Sequence, residues 1–212
     1  GPSQAAIDAL DGKKIIFIGN SYTYWGNCVI PAESVMDSQS DRTNDKGLFY
    51  QLCKENGIRV CGYYSLIHNT REHDKHPEWQ LLQQSGQSSR QSNGSRYGLC
   101  GPNNPEYRDF VFKQIDEMLD YFEPDAMFFD MPFWPHLCYC PHCQARYKEF
   151  SGHAIPASTQ LGTPEHDEML CYKIKFMGEF IQSISNHVKK KRPDVSVEHN
   201  TAHAVTGVTD FG

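Results

Sequence analysis

The sequence predicts an α/β protein, a parallel sheet with crossover helices that forms a partial or TIM-barrel-like (β/α) barrel. Short apolar runs typical of buried strands alternate with longer segments whose apolar residues recur at helical spacing. Each run is apolar on both faces, as expected for a sheet that is covered on both sides. Parallel strands are predicted over residues 13–19, 58–66, 126–130 and 194–198, and helices near 45–56, 105–122 and 167–190.

The first half of the chain reads as a β-α-β opening. Lys13 to Gly19 is an apolar run that ends in turn residues, and the helix that follows is stopped by Gly57. An extended pattern then resumes at Ile58. Residues 68–96 are polar and lack a periodic apolar signal, which predicts a long functional or mobile loop.

The second half continues the alternation. Pro105 begins a helix with one apolar face, and Pro124 closes it. The run from Ala126 to Asp130 is the next strand. A long amphipathic helix then ends in a basic run, which the helix macrodipole favours at that end, and it leads into the strand that carries Glu198.

Composition and charge exclude several classes of partner. The 212 residues carry 20 Lys and Arg against 26 Asp and Glu, a net charge of -6, with no basic stripe for a phosphate backbone. No apolar run has the roughly 18 residues that a membrane span needs. We therefore expect a soluble protein with no nucleic-acid or membrane partner. Gly1-Pro2-Ser3 resembles a protease scar, so the compartment stays open.

The strongest chemical signal is a C-x-C-x-x-C run formed by Cys138, Cys140 and Cys143. This spacing brings three thiolates within reach of one tetrahedral ion and leaves one position to fill. Cys100 is the predicted fourth ligand, since its loop should lie on the same side of the sheet, and His136 and His142 are its rivals. A closed site of this kind predicts structural Zn²⁺. Reduced thiols or disulfides are the alternative.

Asp130 ends a strand that is otherwise apolar, and aromatic residues follow it. A carboxylate at the mouth of a parallel sheet, with rings beside it, suits the cleavage of a glycosidic bond. Glu198 ends the following strand and is the predicted partner in an acid/base and nucleophile pair. The alternatives are a turn-capping or helix-capping Asp130 and a salt-bridged or solvated Glu198. Sugar-contacting candidates are Tyr63, Tyr64, His68, His73, Trp79, Phe133, Trp134 and His199.

Residues 58–203 resemble the central part of the α-L-fucosidase-like glycoside hydrolases. The resemblance is carried by the Tyr63–Ile67, Arg96–Gly98, Pro102–Arg108, Phe128–Met131 and Val197–Asn200 segments and the cysteine run. It implies a retaining (β/α)₈ barrel whose nucleophile, an Asp ending the fourth strand, matches Asp130. The cysteine run is also similar to the structural zinc cluster of a group of bacterial β-galactosidases, which implies Cys100 as the fourth ligand.

Residues 12–57 resemble the first block of the SGNH (GDSL-like) hydrolases. The resemblance rests on Ile16–Thr23 and implies Ser21 as an acyl-transfer nucleophile. The later blocks of that family are missing here, because Asn44-Asp45 comes too early and His203 has no Asp three positions before it. The alternative for Ser21 is a turn or helix-capping residue.

The sequence thus predicts two segments, an SGNH-like 1–57 and a glycoside-hydrolase-like 58–212, packed as one α/β domain. A natural fusion, a truncation and a chimera would look alike. The leading hypothesis is a retaining α-L-fucosidase-like or β-galactosidase-like enzyme that acts on carbohydrate. The alternatives are a carbohydrate esterase that uses Ser21 and a non-catalytic, zinc-stabilised α/β module. An incomplete barrel would expose strand edges, so we expect either a homodimer or helices over the open side.

Overall fold

The computed structural model describes residues 15–17 and 53–199. Within these ranges four parallel strands form one sheet, in which spatial order follows chain order. The strands are β1 (Ile15–Phe17), β2 (Arg59–Ser65), β3 (Ala126–Asp130) and β4 (Ser196–His199). The α/β class and the parallel sheet are therefore confirmed.

Five α-helices and one 3₁₀ turn connect the described strands. The helices are α1 (Thr70–Lys75), α2 (Ser89–Asn93), α3 (Pro105–Phe122), α4 (Pro141–Ser151) and α5 (Pro164–Lys191), and the 3₁₀ turn is Pro77–Trp79. The predicted helix over 105–122 coincides with α3, and α5 covers the one predicted over 167–190. Of the helix predicted near 45–56, residues 53–55 are described and are helical. None of the described helices combines the length and apolarity that a membrane crossing requires.

The three long helices begin in the same way. Each has proline as its first residue, where the fixed φ suits the helix and the missing N–H would have had no partner. Asn104 caps α3 by accepting from the Glu106 and Tyr107 N–H groups, and the Thr163 side chain caps α5. Cys140 is the N-cap residue of α4, although its side chain makes no capping hydrogen bond.

The sheet has two faces with different surroundings. Tyr64, Met127 and Phe129 are buried on the face that packs against α3 and α5, and Tyr64 donates a hydrogen bond to Gln114 of α3 at 2.5 Å. Strand alternation places Tyr63 and Asp130 on the other face. Long side chains thus fill the helix-facing side, and the opposite side holds the candidate site.

Residues 66–104, which include the predicted functional or mobile loop over 68–96, contain the short helices α1 and α2 and the 3₁₀ turn. Backbone pairing holds the segment to itself, through the bridges His68↔Leu99, Gln80↔Cys100 and Leu82↔Ser88. Leu81 is fully buried within it. The bridges and several buried apolar side chains, among them Leu66, Ile67, Leu81 and Leu99, hold the segment together without a periodic apolar pattern.

Candidate active site and cysteine cluster

Asp130 lies at the carboxyl end of β3 with 2% of its surface exposed. The Tyr63 hydroxyl on the neighbouring strand donates a hydrogen bond to its Oδ2, and the two rings of Tyr63 and Phe128 stack with centroids 6.1 Å apart. The Leu66 N–H donates to the Asp130 carbonyl at 3.0 Å. Met131 follows in a left-handed conformation with φ of 56°, a strained geometry for a non-glycine residue that turns the chain sharply away from the strand.

His68 forms one wall beside Asp130. Burial lowers the pKa of its imidazole, and the nearby Asp130 charge opposes that shift in part. Its ring lies 5.7 Å from that of Tyr97 and 6.3 Å from that of Phe133, both in edge-on arrangements. Its Nδ1 is buried and has no hydrogen-bond partner among residues 53–199. An imidazole with a buried nitrogen that lacks a partner among the described residues, flanked by two rings, therefore lies near a buried carboxylate.

Glu198 is on the same face of the sheet as Asp130. Its β4 position is in register with Phe128, two residues before Asp130. One strand spacing and two residues of rise separate their Cα atoms by about 8 Å. Glu198 is exposed, and its charge adds to the burial that raises the pKa of Cys61 to about 11. The two carboxylates thus share a face but have different solvation.

Other predicted sugar contacts lie elsewhere. Tyr64 and His199 are on the helix-facing side, where His199 Nε2 is 3.1 Å from the Ser185 hydroxyl of α5. His199 also stacks on Phe129, and burial lowers its pKa. Tyr64 and His199 lie on that side because successive side chains of a strand point to opposite faces, and their strand positions point away from the face of Asp130.

Trp79 and Trp134, which were predicted as sugar contacts, also pack inside the domain. Trp134 is 1% exposed and its indole N–H donates to the Lys173 carbonyl of α5 at 3.0 Å. Trp79 stacks on His76 at 3.8 Å and packs against Tyr107 and Phe110 of α3. Of the eight predicted contact residues, the structure therefore brings Tyr63 and His68 to Asp130, with Phe133 beside His68.

His73 and Ser21 were predicted for the site as well. His73 lies in α1, where its Nδ1 is 2.8 Å from Asp74. Ser21 lies outside the described residues. Tyr97 was not predicted as a contact. The His68↔Leu99 bridge brings its ring to His68, and this pairing has no signature in the sequence.

The sulfur atoms of Cys138, Cys140 and Cys143 form a buried cluster, all within 4.8 Å of one another. The first two precede α4 and the third lies in its first turn. Zinc–sulfur bonds of about 2.3 Å in a tetrahedron put sulfur atoms roughly 3.8 Å apart, so a small contraction would complete such a site. The donor chemistry and the geometry therefore fit a zinc ion.

The three thiols differ in the direction in which their surroundings move their pKa values. Hydrogen bonds from Cys138 and Cys143 lower the pKa of Cys140 to about 3. The hydrogen bond with Cys140, together with burial, raises the pKa of Cys138 to about 12. Hydrogen bonds with Cys138 and Cys140, together with burial, raise the pKa of Cys143 well above its usual value. Position at a helix N-terminus also favours the thiolate. A bound cation would favour the thiolate form of all three cysteines.

Cys100, the predicted fourth ligand, does not belong to this group. Its buried thiol donates to the Asn69 carbonyl at 3.7 Å, and its backbone N–H is bound to the Ile67 carbonyl at 2.9 Å. The Cys100 thiol is thus engaged with the Asn69 carbonyl. Of the rivals, His142 is exposed, while His136 has a buried Nε2 with no hydrogen-bond partner in the described ranges.

Comparison with known proteins identifies a family and a fold. A family model described as "Domain of unknown function (DUF4838)" matches residues 30–206. This range crosses residue 57, and the comparisons lend no support to an SGNH hydrolase or to a chimera. No curated protein matches the chain.

The solved structures that match include glycoside hydrolases. α-L-Fucosidase isoenzyme 2 from Paenibacillus thiaminolyticus is 19% identical with a TM-score of 0.58, over 73% of this chain and 22% of its own. A β-galactosidase from Rahnella sp. R3 is 12% identical with a TM-score of 0.59, over 88% and 31%. A hypothetical protein from Ruminiclostridium thermocellum ATCC 27405 is 14% identical with a TM-score of 0.50, over 97% and 91%. The chain therefore has a glycosidase-like fold and spans less than a third of the two named hydrolases.

Proposed function

The chain belongs to the DUF4838 family, and we propose that it supplies the catalytic segment of a retaining glycoside hydrolase, with Asp130 as the nucleophile. The observation that carries this proposal is a buried carboxylate at the carboxyl end of a parallel strand, held by the Tyr63 hydroxyl and faced by His68. In (β/α) barrels such strand ends carry the chemistry. The glycosidase-like fold supports a TIM-barrel segment and a carbohydrate substrate, α-L-fucosidase-like or β-galactosidase-like.

In this proposal the Asp130 carboxylate attacks the anomeric carbon. The bond to the leaving oxygen breaks as a carboxylic acid gives that oxygen a proton, and a glycosyl ester of Asp130 forms. Water, deprotonated by the same acid/base residue, then displaces the ester and restores Asp130. The Tyr63 hydroxyl donates to Oδ2 and would hold the Asp130 carboxylate in one orientation during the attack.

Glu198 is the proposed acid/base. Its shared face supports this role, and the extra methylene of Glu relative to Asp offsets part of the Cα separation of about 8 Å. Retaining enzymes place the two carboxyl groups about 5–5.5 Å apart. His68 would bind a sugar hydroxyl through its spare nitrogen, and the Tyr97 and Phe133 rings offer apolar surface for the C–H face of a sugar.

We further propose a structural zinc ion at the cysteine cluster. His136 is the proposed fourth ligand, because its Nδ1 lies 3.1 Å from the Leu137 carbonyl, an arrangement that leaves the lone pair on the buried Nε2. The ion would fix the ten-residue connection from Asp130 to Cys140, which carries Phe133. It would have no contact with substrate in this role.

The test combines turnover with covalent trapping. Purified protein is assayed with nitrophenyl α-L-fucoside and β-D-galactoside, and then incubated with the 2-fluoro analogue of the sugar that it cleaves. We expect a label on the peptide that contains Asp130, and a D130N variant with turnover reduced by orders of magnitude. Y64F is the matched control, since it alters a neighbouring phenol on the opposite face.

The remaining outcomes separate the alternatives. An E198Q variant that keeps normal turnover would exclude Glu198 as the acid/base, and azide rescue of an E198A variant would support it. Unlabelled protein, or D130N with unchanged turnover, would contradict the nucleophile. Hydrolysis of nitrophenyl acetate that is lost in S21A would favour the esterase, and sugar binding without turnover would favour the non-catalytic module.

A further inference from the structure

We infer that Asn103 positions the cysteine cluster by donating an N–H to the Cys143 sulfur, in an orientation locked by Arg146. Asn103 is 6% exposed. Its Nδ2 lies 3.4 Å from Cys143 Sγ and 3.1 Å from the Tyr172 hydroxyl. This inference rests on the proposed zinc site. It adds a residue, Asn103, that does not bind the metal but strengthens metal binding by the Cys143 sulfur.

The orientation of the Asn103 amide follows from its other contact. Arg146 Nη1 lies 2.7 Å from Asn103 Oδ1, and a guanidinium only donates hydrogen bonds. The oxygen must therefore face Arg146, which leaves the NH₂ group directed at Cys143. An amide nitrogen has no lone pair for a metal, so Asn103 is excluded as the fourth ligand.

Arg146 is itself held in place from two sides. Its Nη2 pairs with Glu179 of α5 at 2.5 Å, and its guanidinium lies 4.0 Å from the centre of the Phe176 ring. The loop before α3, helix α4 and helix α5 thus meet around one amide group. The polar contacts of Asn103 are satisfied only when its N–H groups point to the sulfur and the Tyr172 hydroxyl.

The energetic consequence concerns the state of the Cys143 sulfur. A thiolate or metal-bound sulfur accepts a hydrogen bond far better than a neutral thiol, and hydrogen bonds to charged groups are about twice as strong as neutral ones. Partners outside the first ligand shell commonly change metal affinity by about 10–100-fold. Asn103 should therefore strengthen metal binding without touching the metal.

The experiment compares N103L and N103D with N104A. Leucine removes the donor at similar size, and aspartate points an acceptor at the sulfur. Asn104 is also buried and caps α3, while its Nδ2 donates to the Glu78 carbonyl at 2.9 Å, so N104A is a stability control on the same loop. Zinc affinity is measured by chelator competition, and Co²⁺ replacement gives the sulfur-to-metal charge-transfer spectrum.

We expect about 10–100-fold weaker zinc binding and a shifted charge-transfer band in N103L and N103D, with N104A less stable but unchanged in affinity and spectrum. R146M, which frees the amide to rotate, should show a smaller loss in the same direction. If the N103 variants bind zinc like the unmodified protein, the Asn103 inference fails while the zinc site stands. If the unmodified protein binds no zinc, the proposed site itself fails. Equal losses in N103L and N104A would show a merely structural role.

Discussion

Replacement of single cysteines by serine tests whether Cys100 is a zinc ligand, as the sequence predicts, or whether the zinc site consists of the cysteine cluster without it. Cys140 is 3% exposed inside the sulfur cluster, whereas Cys100 is fully buried and donates to a backbone carbonyl. A serine hydroxyl at position 100 can make the same donation to Asn69. C100S should therefore keep one zinc per chain, and C140S should lose it.

The size of the effect follows from mass action. Free zinc at 1,000 times its dissociation constant stabilises the folded state by about 4 kcal/mol. For a domain of 150–250 residues each kcal/mol moves the melting temperature by roughly 2–4 °C, so loss of the ion lowers it by about 8–16 °C. C100S alters one buried neutral hydrogen bond, worth about 1 kcal/mol, and should lower it by roughly 2–4 °C.

The assay is zinc content by elemental analysis together with thermal unfolding, with and without a strong chelator. The chelator should lower the melting temperatures of the unmodified protein and of C100S, and it should leave that of C140S unchanged. Zinc lost from C100S would restore Cys100 as the fourth ligand and refute the reasoning from its Asn69 contact. Zinc retained at full affinity in C140S, or a disulfide within the cluster, would refute the site itself.

Three further changes test the surroundings of the site. Y63F removes the hydrogen bond to the Asp130 carboxylate, which is worth about 1.5–3 kcal/mol. In the glycoside assay kcat/KM should therefore fall about 10–100-fold, with unchanged secondary structure. An unchanged kcat/KM would contradict a positioning role for Tyr63. Burial lowers the pKa of His199, so the unfolded chain binds a proton there at a higher pH than the folded protein does, from about pH 6.5 downward. The free energy of unfolding should therefore fall between pH 7.5 and pH 5. Urea titrations should show a smaller fall in H199Q. Y107F leaves the Leu66 carbonyl without its 2.8 Å donor in the core and should cost about 1–3 kcal/mol in urea unfolding, whereas a neutral result would mean that water replaces the hydroxyl.

Much of the fold could be predicted because its elements carry local signals. The strands are short apolar runs, and α3 begins where Asn104 and Pro105 form a cap and a first turn. Helix α4 was missed because its buried side chains include just Cys143 and Tyr147, too few to give a helical period. Its order comes from packing against α5 and from the cysteine cluster, neither of which a local pattern reveals.

The site was predicted in part for a related reason. Asp130 and His68 follow strand ends, and a strand end is visible in sequence. Which phase of a strand faces the site depends on its register with the next one, and register is a tertiary property. Tyr63 and Tyr64 are adjacent and chemically alike, yet one binds Asp130 and the other binds Gln114 of α3. The sequence therefore identifies Tyr63 and Tyr64 as candidates but does not show which of them contacts Asp130.

The same limit explains how the loop before α3 meets the cysteine cluster. Sequence reasoning brought this loop to the cluster and chose Cys100 as the contact, because cysteine is the residue type that binds zinc. Backbone bonds from Cys100 to Ile67 and from Gly101 to Trp79 fix the loop so that Asn103 reaches Cys143 instead. The loop then contributes a hydrogen bond to a sulfur, and in the proposed zinc site another residue would fill the fourth position. A buried imidazole whose other nitrogen is already engaged, as in His136, has the form that such a ligand requires.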